Sequence, residues 1–223
     1  MLNSLFNVSR FFALLVTIAS LTACSNIEFE GERPLISIGN VTAATGYPIL
    51  IRKSRTYMLA DQAKIYLGDI IETDQVSKIA IQMTDKTQFS LGSNSHFVLH
   101  TYEYSPNLRK ARAKVSITSG SLRTTTSDIK SNWKAQFEIK TPLAIINVDS
   151  ADFWCGYVFG ENQSRLDVTL IKGTSIITTN IHGSAEVIQP GFGTTVIGRS
   201  APQPSQPWSK QKTTRALAHT TLQ

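Results

Sequence analysis

Apolar and polar residues alternate along most of this chain with a period of two. The runs "ILIRKSRTYML", "SKIAIQM", "TQFSL", "HFVLHTY", "AKVSITSG", "AQFEIK", "LAIINV", "RLDVTLIKG", "SIITTNI" and "TTVIG" either alternate or are rich in β-branched residues. Successive side chains on a strand point to opposite faces, so such runs predict strands with one buried face. Gly, Asp, Asn and Ser interrupt them at close spacing, as tight turns require. Between residues 49 and 198 no window carries an apolar stripe at the helical period over ten residues. The predicted fold is all-β, a solenoid-like or sandwich stack of short antiparallel strands.

One piece of the pattern occurs twice. Val115-Ser116-Ile117, Gly120 and Thr125-Thr126 match Val168-Thr169-Leu170, Gly173 and Thr178-Thr179 at an offset of 53 residues. A repeated strand, glycine turn and strand is expected of stacked hairpins or solenoid coils; the alternative is coincidence in a Thr-rich β protein.

The two ends depart from the alternation. Phe11 to Ala23 is a run of 13 residues without a charge, preceded by Arg10. A spanning helix needs about 20 such residues, and the small residues at its end give the layout of a secretory signal peptide. Within it, Leu21-Thr22-Ala23-Cys24 is similar to the lipobox of bacterial lipoproteins. That similarity implies cleavage before Cys24 and acylation of its thiol; cleavage elsewhere, or a retained anchor, is the alternative. Ser25 follows where an aspartate would signal inner-membrane retention, so the expected location is the outer membrane, facing the periplasm. Two or three acyl chains hold a protein firmly where one binds reversibly.

Residues 24–48 mix charge, Gly, Pro and Thr and are expected to form a tether with one strand at "LISIGNV". Residues 199–223 hold Pro202, Pro204 and Pro207 and are expected to be a flexible tail in which a helix at 211–218 is marginal. Both ends are thus expected to be disordered tails on a single β domain spanning 49–198.

Charge and cysteine count narrow the chemistry. The chain has 22 Lys and Arg against 16 Asp and Glu, a net charge of +6. The excess is mild and lacks the dense basic clusters with interleaved aromatics of a nucleic-acid binder, so no nucleic-acid partner is expected. Cys155 is left alone once Cys24 is acylated, so no internal disulfide is expected, and its apolar setting in "ADFWCGYVF" predicts a buried, inert thiol.

Converging catalytic groups are hard to find. The sequence has no Gly-x-Ser-x-Gly elbow, Walker-type loop, His-Glu-x-x-His or Cys-x-x-Cys. His96 and His100 on one strand would sit about 13 Å apart, too far for one metal. Asp149 and Asp152 meet only if a turn brings them together. No enzyme, metal or cofactor is expected. The basic run Arg109, Lys110, Arg112 and Lys114 reads as a charged strand edge or as an electrostatic contact for an acidic partner. Trp154 is expected in the core, whereas Trp133 in "KSNWKA" is expected to be exposed. The candidate partner surface therefore comprises Arg109, Lys110, Arg112, Lys114, Trp133 and the Asp149–Asp152 turn.

A set of ordered motifs goes further. Gly68-Asp69 with Ile71 and Thr73 opens it, and the Asp85-Lys86-Thr87 turn, Leu91 and Ser95 follow. After these come "VSITSG", the Thr141-Pro142 pair, Val148 to Phe153, "VTLIKG" and "PGFGTTV". Over residues 49–198 this order resembles the FecR domain, a periplasmic all-β domain of cell-surface signalling and other envelope proteins. Asp149 and Ser150 stand where that family usually has an Arg-Gly pair. The resemblance implies a non-catalytic domain whose partner is a periplasmic or outer-membrane protein. Signalling members also carry a cytoplasmic sigma-regulating region, for which residues 1–23 are expected to leave no room, and a membrane helix, which lipidation is expected to replace. The first expectation is an interaction or assembly module. The second is a signalling accessory that contacts an outer-membrane receptor, and the third a hydrolase with unrecognised polar groups.

Overall fold

The alternation becomes strands because each run can bury every second side chain between two sheets. The computed structural model describes residues 36–127, 134–159 and 163–222. Cys24 and Trp133 lie outside these residues. The first strands are β1 (Gly39–Thr45), β2 (Ile49–Arg52), β3 (Arg55–Met58), β4 (Lys64–Ile65), β5 (Ile70–Glu72) and β6 (Lys78–Met83). Next come β7 (Gln88–Leu91), β8 (His96–Ser105), β9 (Lys110–Ser119), β10 (Ser121–Thr125), β11 (Lys134–Lys140) and β12 (Ile145–Val148). The last are β13 (Ala151–Gly156), β14 (Arg165–Gly173), β15 (Ile176–Asn180), β16 (Gly183–Val187), β17 (Phe192–Ile197) and β18 (Gln206–Pro207), followed by helix α1 (Lys210–Thr220).

These strands form two nine-stranded sheets. Sheet A runs β18-β17-β14-β13-β10-β7-β6-β1-β4, and sheet B runs β16-β15-β12-β11-β9-β8-β5-β2-β3. Pairing is antiparallel except between β9 and β11, which run parallel from Lys110 beside Lys134 to Ser116 beside Lys140. The inward residues of the two sheets make one core. Phe89 of sheet A packs on Phe97 and Phe137 of sheet B, with ring centroids 5.3 and 5.8 Å apart. The all-β sandwich matches the predicted class. Burying each such large apolar side chain contributes about 1.5–3 kcal/mol before entropy is counted.

The sequence echo has a different meaning from stacked coils. β9 lies in sheet B and β14 in sheet A, and at the end of each the chain crosses to the other sheet. The two copies are thus corners of opposite sense. Gly120 (φ +77°) and Gly173 (φ +120°) stand at the corners in a backbone region that favours glycine. Space is also absent there. A Cβ at Gly120 would lie 2.2 Å from the Ser95 hydroxyl, and one at Gly173 would lie 2.3 Å from the Ser150 carbonyl oxygen.

The residues that carry the family resemblance pin turns of this kind. The Ser95 hydroxyl donates to Gly92 O and accepts from Ser121 N–H, and the Thr73 hydroxyl donates to Gly92 O at 2.6 Å. Asp69, fully buried, accepts a two-pronged ion pair from Arg52, both contacts at 2.6 Å. The Thr141 hydroxyl donates to Ala144 O and accepts from Ala144 N–H, closing the β11–β12 turn around Pro142. Side-chain bonds of this type replace the backbone partners that a turn forfeits.

Two expected boundaries need correction. The strand expected at Leu35 to Val41 lies instead at Gly39–Thr45, where β1 pairs with both β4 and β6 and buries Val41. The sheet therefore begins before residue 49. The C-terminal segment expected to be a flexible tail is packed against sheet A. Proline content argues against order, but Pro202 is itself buried and Trp208 and helix α1 add buried surface of their own. The Ser209 side chain caps the helix by accepting from Lys212 N–H. At its other end Lys78 donates to Ala218 O and Thr221 O at 2.7 and 2.9 Å, a cation set against the C-terminal carbonyls. No helix among the described residues is long and apolar enough to cross a membrane.

Candidate functional site

The outward faces of the two sheets differ. On sheet A, Trp154 points away from the core and is nevertheless fully buried, because the C-terminal segment lies over it. Its ring centroid is 6.1 Å from that of Trp208 and 5.8 Å from that of Phe159. Lys212 reaches across, its Nζ 3.8 Å from the centre of the Trp208 ring and 2.7 Å from Asp167 Oδ1. A cation over an indole face is favourable when partly desolvated. Gly193 makes room, since a Cβ there would lie 2.4 Å from Trp208 Nε1. Trp154 is thus buried as expected, but under the strap and not in the core between the sheets.

Asp167 fastens this strap. Its side chain has no exposure and accepts from Arg165 Nε (2.7 Å), the Thr195 hydroxyl (2.7 Å) and Lys212. Burial pushes its carboxyl pKa up. Hydrogen bonds from Arg165, Lys212 and Thr195 outweigh that and hold it below the ordinary carboxylate value.

Sheet B, by contrast, meets solvent. Ala113 and Val115 of β9 belong to the core and Ala111 is buried on the same side of the strand, so Lys110, Arg112 and Lys114 face outward. Lys110 pairs with Glu103 at 2.6 Å and Lys114 with Glu138 at 3.2 Å. The hydrogen bond and charge of Lys110 hold the Glu103 carboxyl below its ordinary pKa. These side chains are about half-exposed or less, and surface pairs of this kind are screened by solvent and salt and add little to stability. Gln136, Lys140, Ile145, Asn147 and Ile177 continue the exposed face across β11, β12 and β15.

The expected site residues divide between the two faces. Arg109 sits in the β8–β9 turn with a positive φ of 50°, its N–H bonded to Pro106 O. Arg112 and Asp149 line one narrow cleft with Tyr102 and Phe137, where the accessible space is about 10 Å³, room for a single water. The Arg112 Nε is buried there and has no hydrogen-bond partner among the described residues. Asp152 belongs elsewhere: it lies on sheet A in a two-pronged ion pair with Arg123, at 2.7 and 2.9 Å. Asp149 and Asp152 therefore do not meet as an acid–base pair.

The histidines are also separate. His96 bonds to Glu72 at 2.9 Å, and His100 to the Ser116 hydroxyl at 2.8 Å. Among the described residues no three His, Cys, Asp or Glu side chains converge on a metal position. Cys155 is buried, and burial pushes its thiol pKa up to about 12, which leaves it protonated and unreactive at neutral pH. What the outer face of sheet B offers chemically is a row of charged and hydrogen-bonding side chains at exposed strand positions. Sequence reasoning missed the Trp208–Lys212–Asp167 fastening; its one linear trace was the Ser209 cap ahead of a helix-forming run.

The family model described as FecR protein matches residues 69–176, from Asp69 to the first residue of β15. No curated protein matches the chain significantly. Among solved structures, two crystal structures of a candidate anti-sigma factor from Parabacteroides distasonis ATCC 8503 resemble it at 14% identity. The TM-scores are 0.51 and 0.49, and each covers 66% of this chain. The chain spans 63% and 64% of the length of those two chains. At that identity the likeness is one of fold.

Proposed function

We propose, from the match of the FecR protein family model to residues 69–176, that the chain is a non-catalytic regulatory module of envelope signalling that acts by binding another protein. One observation carries this reading: the C-terminal strap lies over the Trp154 and Asp167 part of sheet A, whereas among the described residues none covers the charged face of sheet B. The strip Arg109, Lys110, Arg112 and Lys114 is the proposed docking edge, with Asp149 at its border. Its partner is an acidic periplasmic or outer-membrane protein. Exposed charges of this kind act mainly on association rate and specificity and are screened by salt.

Replacing Arg109, Lys110, Arg112 and Lys114 by Ser is expected to lower partner recovery about tenfold in an in-cell crosslinking pull-down, in line with the one to three decades over which association rates vary. Folding and membrane attachment should persist. Unchanged recovery from the four-serine variant would remove the strip from the interface.

The lipobox-like Leu21 to Cys24 supports a lipid anchor on Cys24 that holds the module at the outer membrane, facing the periplasm. Mass spectrometry of the membrane-extracted chain should find acyl chains on an N-terminal Cys24. An unmodified N-terminus at another residue would rule the anchor out.

A further inference from the structure

We propose a second recognition site, independent of the basic strip: the free edge of β16 together with the groove beside it captures an extended protein segment by strand addition. Of the four sheet edges, β4 and β18 are two residues long, and β3 begins at Arg55, just after Arg52 and Lys53. β16 is five residues long and contains no Lys, Arg or Pro, the residues that usually guard an edge. Its pairing with β15 starts from the two-residue turn Ile181–His182, with Asn180 opposite Gly183. In an antiparallel ladder bonded and non-bonded pairs alternate. Ser184 and Glu186 therefore turn their N–H and C=O groups outward, and no backbone bond to either is found among the described residues beyond that ladder.

The same turn forms one wall of a groove of about 630 Å³. Leu143, Ile145 and Ile181 supply its apolar lining, and Ile181, 94% exposed, is the most exposed large apolar side chain among the described residues. Lys140, His182 and Arg199 surround it, and no Asp or Glu among the described residues lines it. The Asn180 side chain donates to both Leu143 O and Ser200 O, which fixes the floor. At the far end of the edge stands Glu186.

This charge order selects the occupant. A segment paired with Ser184 and Glu186 meets a negative charge at one end and a cationic, apolar groove at the other. It is therefore an extended segment with a basic or neutral residue opposite Glu186 and an acidic residue beside an apolar one at the groove. Main-chain bonds supply affinity in strand addition, and such alternate pockets supply selectivity.

The test is an amide nuclear magnetic resonance titration of the isotope-labelled full chain with the capped hexapeptide Lys-Val-Thr-Val-Glu-Ile, beside Glu-Val-Thr-Val-Lys-Ile as the reversed-charge control. The first peptide should shift and protect the Ser184 and Glu186 amides and bind about tenfold more tightly than the second. Ile181→Ser with Arg199→Ser, both at exposed positions, should weaken it about tenfold without altering the rest of the spectrum. Equal binding of the two peptides, or no change at Ser184 and Glu186, would overturn the proposal. Binding of phosphatidylglycerol vesicles through Ile181 with no peptide response would also overturn it and assign the groove to a membrane surface.

Discussion

Gly120→Ala should destabilise the fold by roughly 2–6 kcal/mol, the sum of about 1–3 for a side chain held at positive φ and about 1–3 for overpacking. The φ of +77° disfavours a Cβ, and the added atom would fall 2.2 Å from the Ser95 hydroxyl and 2.5 Å from the Ser95 Cα. Backbone on that side cannot step back, because Ser95 is tied to Gly92 and Ser121. Gly68 provides the internal control. Its φ is +84°, yet nothing lies within 4 Å of a Cβ built there, so Gly68→Ala should cost only the backbone part, about 1–3 kcal/mol. Chemical denaturation of both variants decides the matter: equal losses would mean that the sheet-crossing corner is not sterically closed.

Trp208→Ala is the second large effect, about 3 kcal/mol, the lower end for an aromatic truncation because Trp208 is half-buried. The loss falls on the strap, not on the core between the sheets. Trp154 would then meet water, so its fluorescence should shift to the red and become open to acrylamide quenching. An unchanged emission would show that the strap does not cover Trp154. The Asp167 cluster gives the same strap a pH dependence of definite sign. Its carboxyl pKa is depressed in the fold, so the stabilisation is complete above the unfolded carboxylate pKa and is lost as pH falls through the lower folded value. Asp167→Asn should flatten that acid limb.

How much of this was legible in sequence depended on whether the cause was local. Period-two runs such as "KIAIQM" became β6 because alternation is decided within the strand. The order of turn motifs from Gly68 to Thr141 also survived, since Asp69, Asp85 and Thr141 each fix a turn by a short-range bond. Long-range pairing was not legible. The echo at Gly120 and Gly173 looked like stacked coils, because nothing in a linear pattern says which sheet the next strand joins. Likewise Trp154 could be read as buried but not by what, because its partner Trp208 lies 54 residues on, in a proline-rich stretch that composition alone assigns to a flexible tail. Asp149 and Asp152 separated for a related reason: the β12–β13 connection carries the chain from sheet B to sheet A between them.

The central claim is that the charged face of sheet B, and not the strap-covered face of sheet A, meets the partner. Site-specific photo-crosslinking in cells tests it most directly, with a reactive residue at Gln136 on sheet B or at Thr214 on the exposed side of α1. The expected result is a discrete protein adduct from Gln136 that disappears in the four-serine variant, and none from Thr214. An adduct from Thr214 with none from Gln136 would contradict the account and place recognition on the strap.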